Sequence, residues 1–258
     1  YTCLLFLTGA NSNRFEYIVV DDLVEWSKTD LALNGIISTD EVTDSEWNFV
    51  VGQGVEIFEK LSKMSCTLGD IANIFVGLQT SADPVFLFKD SQKSKSLKTV
   101  VYSKQLGQNV EIESDLLKSV IRSGDIGRYW AKPTALVLFP YIFNDAKFRL
   151  IPEAEMKNKN SRAWEYLALN KTLLSDREHG KFKDSGWYQL YPKNLDLWEQ
   201  PKIMVPYMIT RLSAFYDECL NYFVNVTTGG FGITIDQQYG SMKYITGLLN
   251  SNLLDWFL

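Results

Sequence analysis

Two short apolar runs, Ile74-Phe75-Val76 and Val85-Phe86-Leu87-Phe88, flank the small polar stretch Gly77–Pro84. β-branched and aromatic residues dominate both runs, so the segment reads as strand, loop, strand: a hairpin over Ile74–Phe88. Similar short runs recur along the 258 residues. Their order is irregular and does not alternate with helices as a βαβ plan requires. The pattern therefore predicts an α+β fold with mixed, mostly antiparallel sheets and several helices.

Around this segment the sequence predicts a terminal hairpin, Tyr1–Leu7 with Phe15–Val20, and a helix over Leu23–Lys28 capped by Asp21-Asp22. Residues 30–50 read as irregular, and Val55–Met64 as a helix. Glu113–Ile121 is predicted helical, with Leu116, Leu117 and Val120 on one side, and Ala135–Ile142 is predicted to be a buried strand. Pro152 opens the strongest helical pattern, residues 153–177, which His179-Gly180 ends. Strands follow at Ile203–Pro206, Ala214–Tyr216, Tyr222–Asn225 and Ile233–Ile235. A last helix, Tyr239–Asn250, is expected to turn Tyr244, Leu248 and Leu249 inward. Thr228-Gly229-Gly230-Phe231-Gly232 reads as a tight turn or bulge.

No apolar run approaches the ~20 residues of a membrane helix. Cys3, Cys66 and Cys219 are widely spaced and odd in number, against a disulfide framework or a zinc knuckle and consistent with a reducing cytoplasm. His179 is the one histidine. The net charge of −5 argues against a nucleic-acid partner, but its distribution softens that objection. Residues 1–70 hold 4 basic and 12 acidic side chains, whereas residues 71–193 hold 19 and 13. A basic centre between acidic ends permits a local phosphate-binding face or, equally, a solvated surface.

Catalytic signals are weak. Val50-Val51-Gly52-Gln53-Gly54-Val55 lacks the third glycine of a dinucleotide loop and reads as a helix lead-in. Glu155-Met156-Lys157 with Asp145 loosely mimics a nuclease pattern, but the Glu and Lys lie in a predicted helix. Adenine-N6 transfer to a flipped base needs an Asn/Asp-Pro-Pro-Tyr/Phe loop, and the chain has no Pro-Pro pair. The cluster Arg177, Lys181, Lys183, Trp187, Tyr188, Tyr191, Lys193, Asn194 interleaves basic residues, aromatics and amides. It suits phosphate and base contacts, or a solvated loop with core aromatics.

Several segments in order resemble the end of TaqI-type adenine-N6 DNA methyltransferases. Tyr1–Leu7 with Phe15-Glu16-Tyr17 is similar to the last hairpin of the catalytic sheet. Leu68-Gly69-Asp70-Ile71-Ala72 with Gly77-Leu78-Gln79-Thr80-Ser81-Ala82-Asp83 resembles the signature of the specificity domain. Gly124-Asp125-Ile126-Gly127-Arg128-Tyr129, Gly186-Trp187-Tyr188, Trp198-Glu199-Gln200-Pro201-Lys202-Ile203 and Leu248-Leu249-Asn250-Ser251 resemble later blocks. Ser81 stands where the family often has Gly, and Tyr191-Pro192-Lys193 where many members are Arg-rich.

The resemblance implies that residues 1–20 close a methyltransferase domain otherwise absent. Residues 21–258 are then a target-recognition domain, truncated at its C-terminus, that reads double-stranded DNA in a bacterial restriction-modification protein of the cytoplasm, either a methyltransferase or a fused methylase-endonuclease. It implies no catalytic residue, metal or cofactor in this chain. S-adenosylmethionine is used by the parent protein, whose N-terminal methyltransferase domain is the partner. The expected DNA contacts are Gln79, Thr80, Ser81, Arg122, Arg128, Lys181, Lys183, Tyr188, Lys193 and Asn194. For Gln79–Ser81 the alternative is a turn that only shapes its hairpin. For Arg128-Tyr129 it is an internal structural pair. For the whole chain it is a protein-interaction domain without DNA readout.

Overall fold

The computed structural model describes residues 3–9, 11–44, 47–89, 91–144, 147–184, 186–191, 194, 197–225 and 229–258, with backbone only at Gln237. Tyr1, Thr2, Asp145, Lys193 and Thr228 lie outside the described residues. The chain forms two compact units, Tyr1–Thr67 and Leu68–Leu258. The boundary falls well beyond residue 20. The class is α+β, with mostly antiparallel sheets.

In the first unit β1 (Arg14–Val19) is followed by α1 (Leu23–Thr29), β2 (Leu33–Ser38) and α2 (Val55–Ser62). Asp22 caps α1 by accepting from the amides of Val24 and Glu25. β1 pairs with β2 and not with residues 3–7, which are exposed and outside any strand. The stretch read as irregular thus supplies the partner strand. Phe15 and Tyr17 meet Phe49 edge-on at 5.2 and 5.5 Å. The gap over Gly35 is filled by Val51, whose methyl would lie 2.6 Å from a Cβ there.

The second unit opens with α3 (Leu68–Ile71), β3 (Ala72–Val76), α4 (Asp83–Phe86) and β4 (Leu87–Lys89). Residues 74–88 are therefore not a hairpin. Pro84 starts a helical turn after the loop, and the two strands enter different sheets. β5 (Lys98–Ser103) and β6 (Gln108–Glu113) form a separate two-stranded sheet. β7 (Leu117–Ile121), predicted helical, is a strand: Leu117, Val120 and Ile121 are wholly buried. β8 (Ile126–Gly127) pairs with β9 (Trp130–Ala131). β10 (Ala135–Leu138) ends before the predicted Ile142, because residues 141–144 belong to another ribbon. That ribbon is β11 (Tyr141–Asn144) with β12 (Lys147–Leu150).

Three helices, α5 (Glu153–Lys159), α6 (Ser161–Leu169) and α7 (Lys171–Gly180), replace the single predicted one. Buried Asn160 and Asn170 interrupt it. α6 gains its N-terminal partner from far along the chain, since the Glu113 carboxylate accepts from the amides of Arg162 and Ala163 at 3.0 and 2.8 Å. Glu155 and Lys157 pair with Lys159 and Glu153 on a helix surface, and Met156 is core, so no nuclease-like site is assembled there.

β13 (Lys202–Pro206), β14 (Phe215–Asp217), β15 (Tyr222–Phe223), β16 (Gly230–Ile235), α8 (Met242–Leu249) and α9 (Asn252–Phe257) complete the unit. One four-stranded sheet has the order β14-β13-β16-β3 and another β15-β7-β10-β4, in which β15 and β7 run parallel, and the bridge Leu78–Val224 is also parallel. Gly230 and Gly232 lie inside β16 rather than in a turn. A Cβ on Gly232 would sit 2.6 Å from the Phe75 ring. In α8 it is Ile245, Thr246 and Leu249 that face inward, while Tyr244 and Leu248 are exposed.

The larger core packs the β15-β7-β10-β4 sheet under α5–α7, and a smaller one lies between the β13/β16 sheet and α8. At one end of β13 the fully buried Lys202 ammonium meets the equally buried Asp217 carboxylate at 2.8 Å. It also donates to the Trp198 carbonyl. Asp217 accepts in turn from the amides of Cys219 and Asn221. Burial pulls the Lys202 amine below its ordinary range, and Asp217 opposes that pull. Lys202→Ala strands a buried carboxylate and is expected to cost about 3–5 kcal/mol. Urea unfolding measures this. An unchanged midpoint would count against the pair as a structural anchor.

Candidate nucleic-acid interface

The loop after β3 is fixed from several directions. A Cβ on Gly77 would lie 2.2 Å from the Val224 carbonyl oxygen, so only glycine lets the two backbones approach this closely. Leu78 then donates to Phe223 O and accepts from Asn225 N. Gln79 O accepts from Tyr191 N at 3.0 Å. The Thr80 hydroxyl is buried, bonds to the Asp83 carboxylate and accepts from Ala82 N. Ser81 has a left-handed backbone (φ 52°), and its hydroxyl donates to Glu178 at 2.6 Å.

Arg177 is the centre of this arrangement. It is buried, and its guanidinium donates to four main-chain carbonyls: Leu174 at 2.9 Å, Thr80 at 2.6 Å, and Trp187 and Gln189 at 2.8 Å each. The Phe182 ring lies 4.5 Å away and the Phe86 ring 5.3 Å. Burial lowers its pKa to about 10, opposed by Tyr141 and Glu178. After Arg177 the chain turns sharply, with Glu178 and His179 both left-handed and Gly180 following. His179 is exposed at that helix end.

The other expected contacts divide clearly. Lys181 and Lys183 are exposed. The Lys181 ammonium rests 4.5 Å over the Tyr191 ring and 3.1 Å from its hydroxyl. Tyr188 is 1% exposed, stacks with Trp164 and Trp187, and donates to Ile151 O at 2.6 Å, so its side chain has no surface to offer a ligand. Burial raises its hydroxyl pKa. Asn194 is half-buried and donates to Val76 O at 3.3 Å. Arg122 donates to Thr134 at 2.5 Å and lies 3.6 Å from Asp125. Arg128 donates to Leu212 O and Asn252 and pairs with Asp255 at 3.0 Å. Thr80, Arg122, Arg128, Tyr188 and Asn194 are thus engaged internally, and Lys193 is outside the described residues.

An open cavity of about 380 Å³ lies over the loop, lined among others by Gln79, Ser81, Asp83, Glu178 and Asn225. Two carboxylates at its wall disfavour a phosphate there and favour amino donors. Glu178 and Asn225 were not foreseen. The helix end at His179-Gly180 and the strand from Tyr222 have local signals, but their meeting with the 79–81 loop is set by long-range packing and has none. Among the described residues no group of three or more His, Cys, Asp or Glu side chains could hold a metal, and no helix is long and apolar enough to cross a membrane.

Arg177→Ala leaves four carbonyls without their donor and is expected to destabilise the unit by at least about 3 kcal/mol. Amide exchange of Ala82 and Tyr191 should accelerate before global unfolding. Arg177→Lys should not restore protection, because a single ammonium cannot span carbonyls on three segments. Unchanged exchange in both variants would remove Arg177 from its central place.

The family described as the TaqI-like C-terminal specificity domain matches residues 154–258. The whole chain is 27% identical to a stretch of the type II restriction enzyme and methyltransferase RM.Eco57I of Escherichia coli, covering 27% of that protein. Over 68% of its length the chain is 23% identical to the type II methyltransferase M.BanIII of Aneurinibacillus aneurinilyticus, again covering 27% of the relative. The chain thus spans about a quarter of the length of these two proteins. Residues 154–258 are thus similar to the TaqI-like C-terminal specificity domain, in a chain similar throughout to part of a type II restriction enzyme and methyltransferase.

Proposed function

We propose that this chain reads the sequence of double-stranded DNA for a bacterial restriction-modification protein that methylates adenine N6. Its N-terminal methyltransferase domain would bind S-adenosylmethionine, and an endonuclease would be fused or separate. The observation that carries this reading is the match of residues 154–258 to a specificity domain, together with two exposed lysines, Lys181 and Lys183, beside the fixed 79–81 loop. The lysines, joined by Lys193, take phosphates and set register. Gln79 and Ser81 meet base edges, where a Gln amide suits the N6/N7 edge of adenine. Thr80, Arg122, Arg128, Tyr188 and Asn194 hold the frame on which those groups stand. The missing Pro-Pro loop agrees with a chain that recognises DNA and leaves chemistry to the catalytic domain.

The net charge of −5 favours a second reading, a protein-interaction domain. Salt separates the two. DNA affinity is expected to fall steeply from low to moderate salt, with a logarithmic slope of roughly 0.9 per phosphate contact. Lys181→Ala with Lys183→Ala should reduce that slope by about two. Gln79→Ala should relax base preference and leave the slope alone. No duplex binding by the full-length protein, or a flat salt response, would favour the protein partner.

A further inference from the structure

Among the described residues the ribbon β11–β12 is a two-stranded sheet of its own, paired to no other strand. Its register places Tyr141 opposite Leu150 and Phe143 opposite Phe148, and on the other face Ile142 opposite Arg149 and Asn144 opposite Lys147. Side chains alternate faces along a strand, so the ribbon has two chemically distinct sides. The first is aromatic and anchored. Phe143 stacks on Phe148 at 4.9 Å, and Phe148 meets the wholly buried Phe139 edge-on at 5.1 Å. The second carries an amide, two cations and an isoleucine, all exposed.

An isolated two-stranded ribbon is marginally stable in water. Here its base is hydrogen-bonded to the same segment, residues 187–191, that is bonded to the 79–81 loop. The Tyr141 hydroxyl accepts from Leu190 N at 2.9 Å and donates to Leu190 O, while Tyr188 donates to Ile151 O just beyond β12. Residues 187–190 are in turn bonded by Arg177 to Thr80, and Tyr191 to Gln79. The ribbon and the 79–81 loop therefore spring from one rigid mount.

We propose that this ribbon enters the major groove of duplex DNA with its Ile142/Asn144/Lys147/Arg149 face. This rests on the DNA-reading function proposed above. A two-stranded ribbon fits a major groove about 12 Å wide. Asn144 offers the donor and acceptor pair that matches an adenine edge, Ile142 suits a thymine methyl, and Lys147 and Arg149 lie beside them to meet phosphates. The two cations favour a polyanion over an apolar occupant of that face, the amide and isoleucine beside them suit base edges rather than an acidic peptide, and on the opposite side Phe148 packs against the buried Phe139.

The test uses the full-length protein, a fluorescent duplex of random sequence and a pool of randomised duplexes from which bound sequences are selected. With the random duplex, Lys147→Gln should lower affinity and reduce the salt slope by about one. In the selection, Asn144→Ala should lose preference at one base pair, roughly ten-fold or more, with the salt slope unchanged. Both side chains are exposed, so the melting temperature should stay that of the wild type. A wild-type protein that selects a sequence while both variants match it in motif and slope would overturn the ribbon's role and leave the DNA-reading function standing. A wild-type protein that binds no duplex would overturn both.

Discussion

The Arg177 guanidinium joins three separate pieces of chain. It reaches back to the carbonyl of α7, across to Thr80 in the loop after β3, and forward to Trp187 and Gln189. A buried cation whose hydrogen bonds go to backbone carbonyls relies on their dipoles and on the neighbouring aromatic faces to offset its lost hydration. Burial therefore lowers its pKa, although at about 10 it remains charged at neutral pH. The planar fork is what this position demands, since each nitrogen addresses a carbonyl from a different segment.

Most of the interface geometry depends on that joint. The loop carrying Gln79 and Ser81 is held at Thr80, and the segment that bonds the Tyr141 hydroxyl at Leu190 and donates the Tyr188 hydroxyl to Ile151 O is held at residues 187–189. Glu178, the residue after the joint, closes the wall of the cavity through Ser81. The exposed lysines follow within a few residues. The proposed reading of DNA would need such a scaffold, because base discrimination depends on groups fixed to a fraction of an ångström, whereas phosphate contacts tolerate more play.

Local signals carried part of this into the sequence. The Asp22 cap, the strand at residues 202–206 and the α+β class were legible because each rests on neighbours in the chain. β7 was misread because a central strand buried on both sides shows no alternation, and Leu116, Leu117 and Val120 also fit a helical stripe. β1 was assigned the wrong partner because pairing is set by distant packing around Phe49. The long helix broke at two asparagines, one of which precedes an N-terminus capped by Glu113 from β6. At the interface, basic and aromatic residues in one loop suggested a surface patch. Composition could not distinguish Lys181, which is exposed, from Tyr188, which is core, or from Arg128, which serves Asp255 and Leu212.

Under the proposed function, recognition lies in the frame around Arg177 and chemistry in a catalytic domain elsewhere in the protein. The most direct measurement is genome-wide mapping of methylated sites for the full-length protein, with residues 68–258 exchanged for the corresponding segment of a relative of different specificity. The modified sequence is expected to change to that of the donor of the segment while the modified base stays the same. An exchanged protein that remains active and methylates its original sequence would contradict it.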